Sequence, residues 1–254
     1  MFDQMLCEYQ DKWNNTFELD RDIISQYVNK LNYAIERWDM DYDTASENIK
    51  PNYMQRKAMK ELNRYRVMGM HRALIVAAAG SGKTYLAAFD ARNFNPKRLL
   101  YIVHEGSIMQ KSLETFREVF GNTVTYGIYN KDHADVDADF IFAGNIKLSQ
   151  SLELFHENEF DYIVLDECHH ATADSYRKII NYFKPEFLVG LTATPDRMDN
   201  EDVYELFDTN VPFELRLRDA IINDLVVPFH YYGIRDSLVD YGLTKNQERK
   251  MISQ

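Results

Sequence analysis

The residues AAAGSGKT, at positions 77–84, constrain this chain more than any others. They follow ALIVAAA (73–79), a continuous apolar run of the kind a strand buried on both faces requires, and they open a helical segment. Two glycines allow a tight turn, and the free N–H groups of the helix that follows point back at it. Strand, glycine turn and helix N-terminus together cradle phosphate groups. The strict spacing G-x-x-x-x-G-K-[ST] is broken only at its first position, where Ala77 stands. The loop Ala79, Gly80, Ser81, Gly82, Lys83 and Thr84 is therefore expected to bind nucleotide. Lys83 would bring positive charge to the β/γ-phosphates, and the Thr84 hydroxyl would ligate Mg²⁺.

The remainder of the chain sets the frame for that loop. Apolar runs at 98–103, 123–129, 140–144, 161–167 and 187–193 alternate with helical patterns at 84–94, 108–120, 148–155 and 174–183. Strands that alternate with helices of this length predict an α/β fold, a mostly parallel sheet with helices on both faces. Ligands of such sheets sit at the carboxyl ends of the strands. A further helix is predicted from Asn52 to about residue 67, with Asn52 as N-cap and Gln55 completing a capping box.

Two more strand ends carry chemistry. VLDECHH (164–170) places Asp166 where it could hold Mg²⁺ and Glu167 where it could polarise a water. Cys168, His169 and His170 are adjacent in sequence and would splay apart, which disfavours a zinc site. GLTATPDR (190–197) places the Thr192 and Thr194 hydroxyls on a turn stiffened by Pro195, within reach of the carboxylate or histidine at the neighbouring strand end.

Charge is distributed unevenly. The net charge is −11, from 29 basic and 40 acidic residues, and such a total would ordinarily speak against a polyanionic partner. Residues 1–50 hold 11 acids and 5 bases, whereas 51–72 carry Arg56, Lys57, Lys60, Arg64, Arg66 and Arg72 against Glu61 alone. That stretch is read as a basic patch. In the acidic segment Ile24, Tyr27, Val28, Leu31, Ile35 and Trp38 form one helical stripe, so 1–50 is read as an acidic helical extension. The chain shows no signal peptide, no apolar run long enough to span a bilayer and only two cysteines, Cys7 and Cys168, which together predict a cytoplasmic protein with reduced thiols. The acidic loop 131–139 lacks the glycine and closing Glu of a calcium loop and is read as a solvated connector.

In this order, A-x-x-G-x-G-K-T, D-E-C-H and T-A-T-P resemble the first RecA-like motor domain of superfamily-two helicases and translocases. The resemblance is to the DEAD/DEAH-box branch that includes the helicase subunits of type I and type III restriction enzymes. It implies a P-loop NTPase that uses ATP and Mg²⁺. Lys83, Asp166, Glu167 and His169 would serve catalysis, and Thr84 and Asp166 would hold the metal. Thr192, Ala193 and Thr194 would couple ATP state to nucleic-acid grip. Gln55 matches the glutamine that reads the adenine edge, alongside its capping role. The segment 101–116, with His104 followed by Glu105, and the segment 142–150, with Asn145 and Lys147, resemble loops that touch a nucleic-acid backbone.

The expected organisation is thus an acidic extension (1–50), a RecA-like ATP-binding domain (51–236) and a linker (237–254) toward a second RecA-like domain that the chain lacks. The expected activity is ATP hydrolysis on nucleic acid, DNA in preference to RNA, without a membrane partner. The chain alone is expected to hydrolyse weakly, because the second domain would supply an arginine to the transferring phosphoryl group, a position that Arg197 cannot reach. The alternative is a non-catalytic nucleotide-binding switch or scaffold.

Overall fold

A computed structural model describes residues 49–104, 106–168, 174–195, 203–222 and 225–226. The expected helical stripe from Ile24 to Trp38, Glu105, His169, His170, Arg197, the end of the expected domain after residue 226 and the linker 237–254 lie outside the described residues.

Within them the chain forms one sheet of seven parallel strands. The strands are β1 (Arg72–Ala77), β2 (Leu99–Val103), β3 (Tyr126–Tyr129), β4 (Phe140–Gly144), β5 (Tyr162–Leu165), β6 (Phe187–Thr192) and β7 (Phe213–Leu215). Their order is β3-β4-β2-β5-β6-β1-β7. The helices are α1 (Tyr53–Val67), α2 (Lys83–Phe94), α3 (Gly106–Phe120), α4 (Asn145–Ser149), α5 (Asp174–Tyr182), α6 (Val203–Leu206) and α7 (Leu217–Ile222).

Strand alternation divides the core into two layers. Ala73, Ile75 and Ala77 of β1 face one side with α1, α2, α3 and Ala220 of α7. Leu74 and Val76 face the other with α4, α5 and Val203 of α6. Alanines 87, 88 and 91 on the buried face of α2 let that helix lie close to the sheet, which fixes the loop before it. Asn95 ends α2 in the left-handed region at φ 59°. Gly190 of β6 is held by packing, since a Cβ there would lie 2.2 Å from Cζ of Phe207.

Three features differ from the expectation. The helix at 148–155 is two pieces, α4 and a short 3₁₀ turn at Leu152–Leu154. The Ser151 hydroxyl bonds to the Lys147 carbonyl and to Tyr129, and this local competition ends the helix. Strand β7, which pairs with β1 at the sheet edge, was not anticipated from its three residues. The basic stretch is also smaller than its composition suggests. Arg66 is turned into the core against Asp90, Arg72 donates to the Leu206 carbonyl, and Arg64 pairs with Glu61. Arg56 and Lys57 remain exposed. Among the described residues no helix is long and apolar enough to cross a membrane.

Candidate active site

The sheet order places β6 between β1 and β5, so the three motif-bearing strand ends stand side by side. From β1 the chain passes through β2 to β3 at one edge and then returns through β4, β5 and β6 to β7 at the other, so the connections leaving the neighbours β2 and β5 diverge, and open α/β sheets bind ligands beside such a switch point.

The loop after β1 is shaped by its glycines. Gly80 and Gly82 adopt φ values of +78° and +84°, in the left-handed region. A Cβ on Gly82 would also approach Gln55 Nε2 to 2.8 Å. The Ser81 hydroxyl donates to the Ala78 carbonyl at 2.7 Å and closes the turn, while Ala79 and Gly80 stand exposed. Gly82 is the N-cap of α2, and its carbonyl accepts from both Leu86 N–H (3.0 Å) and Gln55 Nε2 (3.1 Å).

Gln55 completes the expected capping box: its Oε1 accepts the Asn52 N–H at 2.8 Å, and its own N–H goes to Asn52 Oδ1 at 2.8 Å. A carboxamide offers two hydrogens and two lone pairs, so one of each remains on Gln55. That remaining pair matches the donor and acceptor of an adenine edge.

Lys83 is buried, and its Nζ lies 3.6 Å from Oε1 of Glu167, which links the loop after β1 to the end of β5. Glu167 has φ 46°, an uncommon conformation for a side chain of its size, directly after the strand. Asp166 is 5% exposed. Burial pushes its carboxyl above the usual range, with the Tyr101 phenol opposing and Glu167 adding to the rise. Burial also pushes the Cys168 thiol well up, so it stays protonated beneath the acids. The Thr192 hydroxyl is buried and accepts the Thr194 N–H at 3.2 Å, folding the T-A-T turn on itself; Ala193 is half-buried and Thr194 exposed.

These groups suit a polyphosphate with a hard divalent cation. A carboxylate and a hydroxyl could supply oxygen ligands, a lysine could supply charge, and Gly80 and Gly82 hold the positive φ values that bend the loop.

The other strand ends present different groups. His104 stands exposed at the end of β2. Lys147 is half-buried on α4, with its Nζ 5.9 Å from the Tyr129 ring centroid. Asn145 departs from expectation: it is 2% exposed, and its Nδ2 donates to Ser175 Oγ at 3.0 Å, tying α4 to α5. Its amide is therefore turned away from the surface where a phosphate contact was anticipated. Sequence reading also passed over Tyr101, whose phenol donates to Asp166 Oδ2 at 2.8 Å. The available signal was a polar tip within an otherwise apolar strand.

Comparison with known proteins bears on the family and the fold. The family model described as "Type III restriction enzyme, res subunit" matches residues 48–197. A type I restriction enzyme endonuclease subunit, EcoAI of Escherichia coli, is 26% identical over 207 residues, covering 74% of this chain and 25% of that protein. The XPB helicase/translocase subunit of transcription and DNA repair factor IIH from Encephalitozoon cuniculi is 23% identical over 255 residues, covering 93% and 36%. The chain thus spans about a quarter to a third of the length of these relatives. Among solved structures, the UvsW helicase of bacteriophage T4 aligns with a TM-score of 0.54 at 16% identity, over 82% of this chain and 76% of that one. The Sulfolobus solfataricus SWI2/SNF2 ATPase core in complex with double-stranded DNA aligns at 0.53 and 19% identity, over 70% and 48%. At such identities they establish the fold, which is RecA-like. With more than half of its residues matched by the family model, the chain belongs to the family of the type III restriction enzyme res subunit.

Proposed function

We propose that this chain is the ATP-binding motor domain of a nucleic-acid helicase or translocase. The observation that carries the reading is the approach of Lys83 and Glu167, 3.6 Å apart between the phosphate loop and the acidic strand end. Apart from nucleotide, the two hold each other; with nucleotide, Lys83 turns to the phosphates and frees Glu167 to orient a water in line with the γ-phosphorus. Thr84 and Asp166 would hold Mg²⁺, which when bound neutralises charge on the β- and γ-phosphates. The N–H groups at the start of α2 and the loop Ala79–Lys83 bind the phosphate chain, and the spare hydrogen and lone pair of Gln55 read adenine.

Thr192 ends β6, the strand between phosphate loop and acid, and Ala193 and Thr194 follow it, at the place from which a change at the nucleotide would reach the rest of the sheet. His169 belongs to the same reading as a partner of this turn. Nucleic acid would cross the ends of β2 and β4, touching His104 and Lys147. DNA is favoured over RNA by the double-stranded DNA bound to the SWI2/SNF2 core and by the restriction-enzyme relatives. A second RecA-like domain would close over the nucleotide and supply the arginine that speeds hydrolysis. The acidic segment 1–50 and residues 237–254 would flank this domain.

Nucleotide binding and DNA-stimulated ATP hydrolysis of Lys83→Ala and Glu167→Gln test the reading. Lys83→Ala should lose ATP affinity. Glu167→Gln should keep ATP and lose turnover by roughly 10²–10⁴. If Lys83→Ala binds Mg-ATP as tightly as the parent, the phosphate-loop assignment is wrong; if a longer protein that carries the second RecA-like domain binds ATP without hydrolysing it on DNA, the chain is a nucleotide-binding scaffold.

A further inference from the structure

Tyr101 lies within an apolar strand yet ends in a hydroxyl that the core must satisfy. It is wholly buried, its ring edge-on to Phe116 and stacked on Phe142 with centroids 5.4 and 5.3 Å away. Strands β2 and β5 run side by side in parallel, with Tyr101 opposite Val164 and Ile102 opposite Leu165. Because side chains alternate along a strand, Asp166, two residues beyond Val164, emerges on the same face as Tyr101. There the phenol donates to Asp166 Oδ2 at 2.8 Å, and the Glu167 N–H donates to Asp166 Oδ1 at 3.0 Å.

Counting hydrogens sets the direction of these contacts. A carboxylate only accepts, so the single phenol proton goes to Asp166. One buried phenol therefore holds a side chain that would ligate the metal, and no motif of the family resemblance contains it.

We infer that Tyr101 is the positioning residue of the cation site, holding the Asp166 carboxylate so that this ligand is arranged before the metal arrives. The inference rests on the nucleotide-site reading above. Outer partners of metal ligands act in this way, by fixing orientation rather than by touching the ion.

The test is Tyr101→Phe in the full chain, which keeps the ring and its packing and removes only the hydroxyl. Affinity for a fluorescent ATP analogue is measured in EDTA, and Mg²⁺ is then titrated into the nucleotide complex, with Mn²⁺ binding followed in parallel by electron paramagnetic resonance. The variant should match the parent in EDTA and require roughly ten-fold more Mg²⁺ or Mn²⁺ for half-saturation. Unchanged metal saturation overturns the inference and leaves the nucleotide site standing. Equal losses with and without metal also overturn it, since Tyr101 would then be a core residue only. A parent that binds nucleotide no better with Mg²⁺ than in EDTA overturns the cation site itself, and both readings with it.

Discussion

Two buried aspartates on the same face of the sheet are treated in opposite ways. Asp90, on α2, is wholly buried and receives both guanidinium arms of Arg66, at 2.8 and 2.6 Å, together with the Tyr162 phenol. Burial alone would make Arg66 easier to deprotonate; Asp90 more than offsets this, and the net shift is upward. The Arg66 guanidinium also lies over the Phe187 ring, 4.7 Å from its centroid. Asp166, at the carboxyl end of β5, likewise receives a tyrosine phenol, but its other donor is a backbone N–H. Among the described residues no Lys or Arg forms an ion pair with it, and Lys83 is engaged with Glu167. The first aspartate is closed by its own cation. The second is oriented and desolvated with no Lys or Arg paired to it among the described residues, the state in which we propose it awaits a cation.

The difference yields separable expectations. Arg66→Ala should have the largest effect, because it strands a buried carboxylate: urea unfolding should show a loss of about 3–5 kcal/mol. A loss near zero would mean that Asp90 is not closed by Arg66. Tyr162→Phe removes one donor while Arg66 stays, so its cost should be smaller, about 1–2 kcal/mol, with Mg²⁺ saturation of the nucleotide complex unchanged. Tyr101→Phe should show the reverse pattern, altered metal saturation with a smaller loss of stability. If both tyrosine variants behave alike, the two sites are not distinct.

Much of this was legible in the sequence. The buried strands announce themselves as apolar runs, and the glycine loop and the acidic pair fall at strand ends where a parallel sheet must put ligands. The capping box at Asn52 and Gln55 was readable because it is local. What could not be read depends on which strands become neighbours. Tyr101 reads as ordinary strand composition until β2 lies beside β5 in one particular register. Arg66 reads as part of a basic surface until α1 packs on α2 and finds Asp90. Asn145 reads as a phosphate donor until α5 brings Ser175 to it. β7 was missed because its three residues, Phe-Glu-Leu, carry too little pattern to be seen without the edge of β1.

The claim that Asp166 is held open for a cation whereas Asp90 is closed by one is tested most directly by urea unfolding of Asp166→Asn and Asp90→Asn in EDTA. Replacing a buried charge that has no cation should leave Asp166→Asn as stable as the parent or more so, whereas Asp90→Asn, which strands Arg66, should lose about 3 kcal/mol or more. If Asp166→Asn loses as much as Asp90→Asn, the carboxylate at the end of β5 is a structural group like its counterpart on α2, and the account of an open cation site is contradicted.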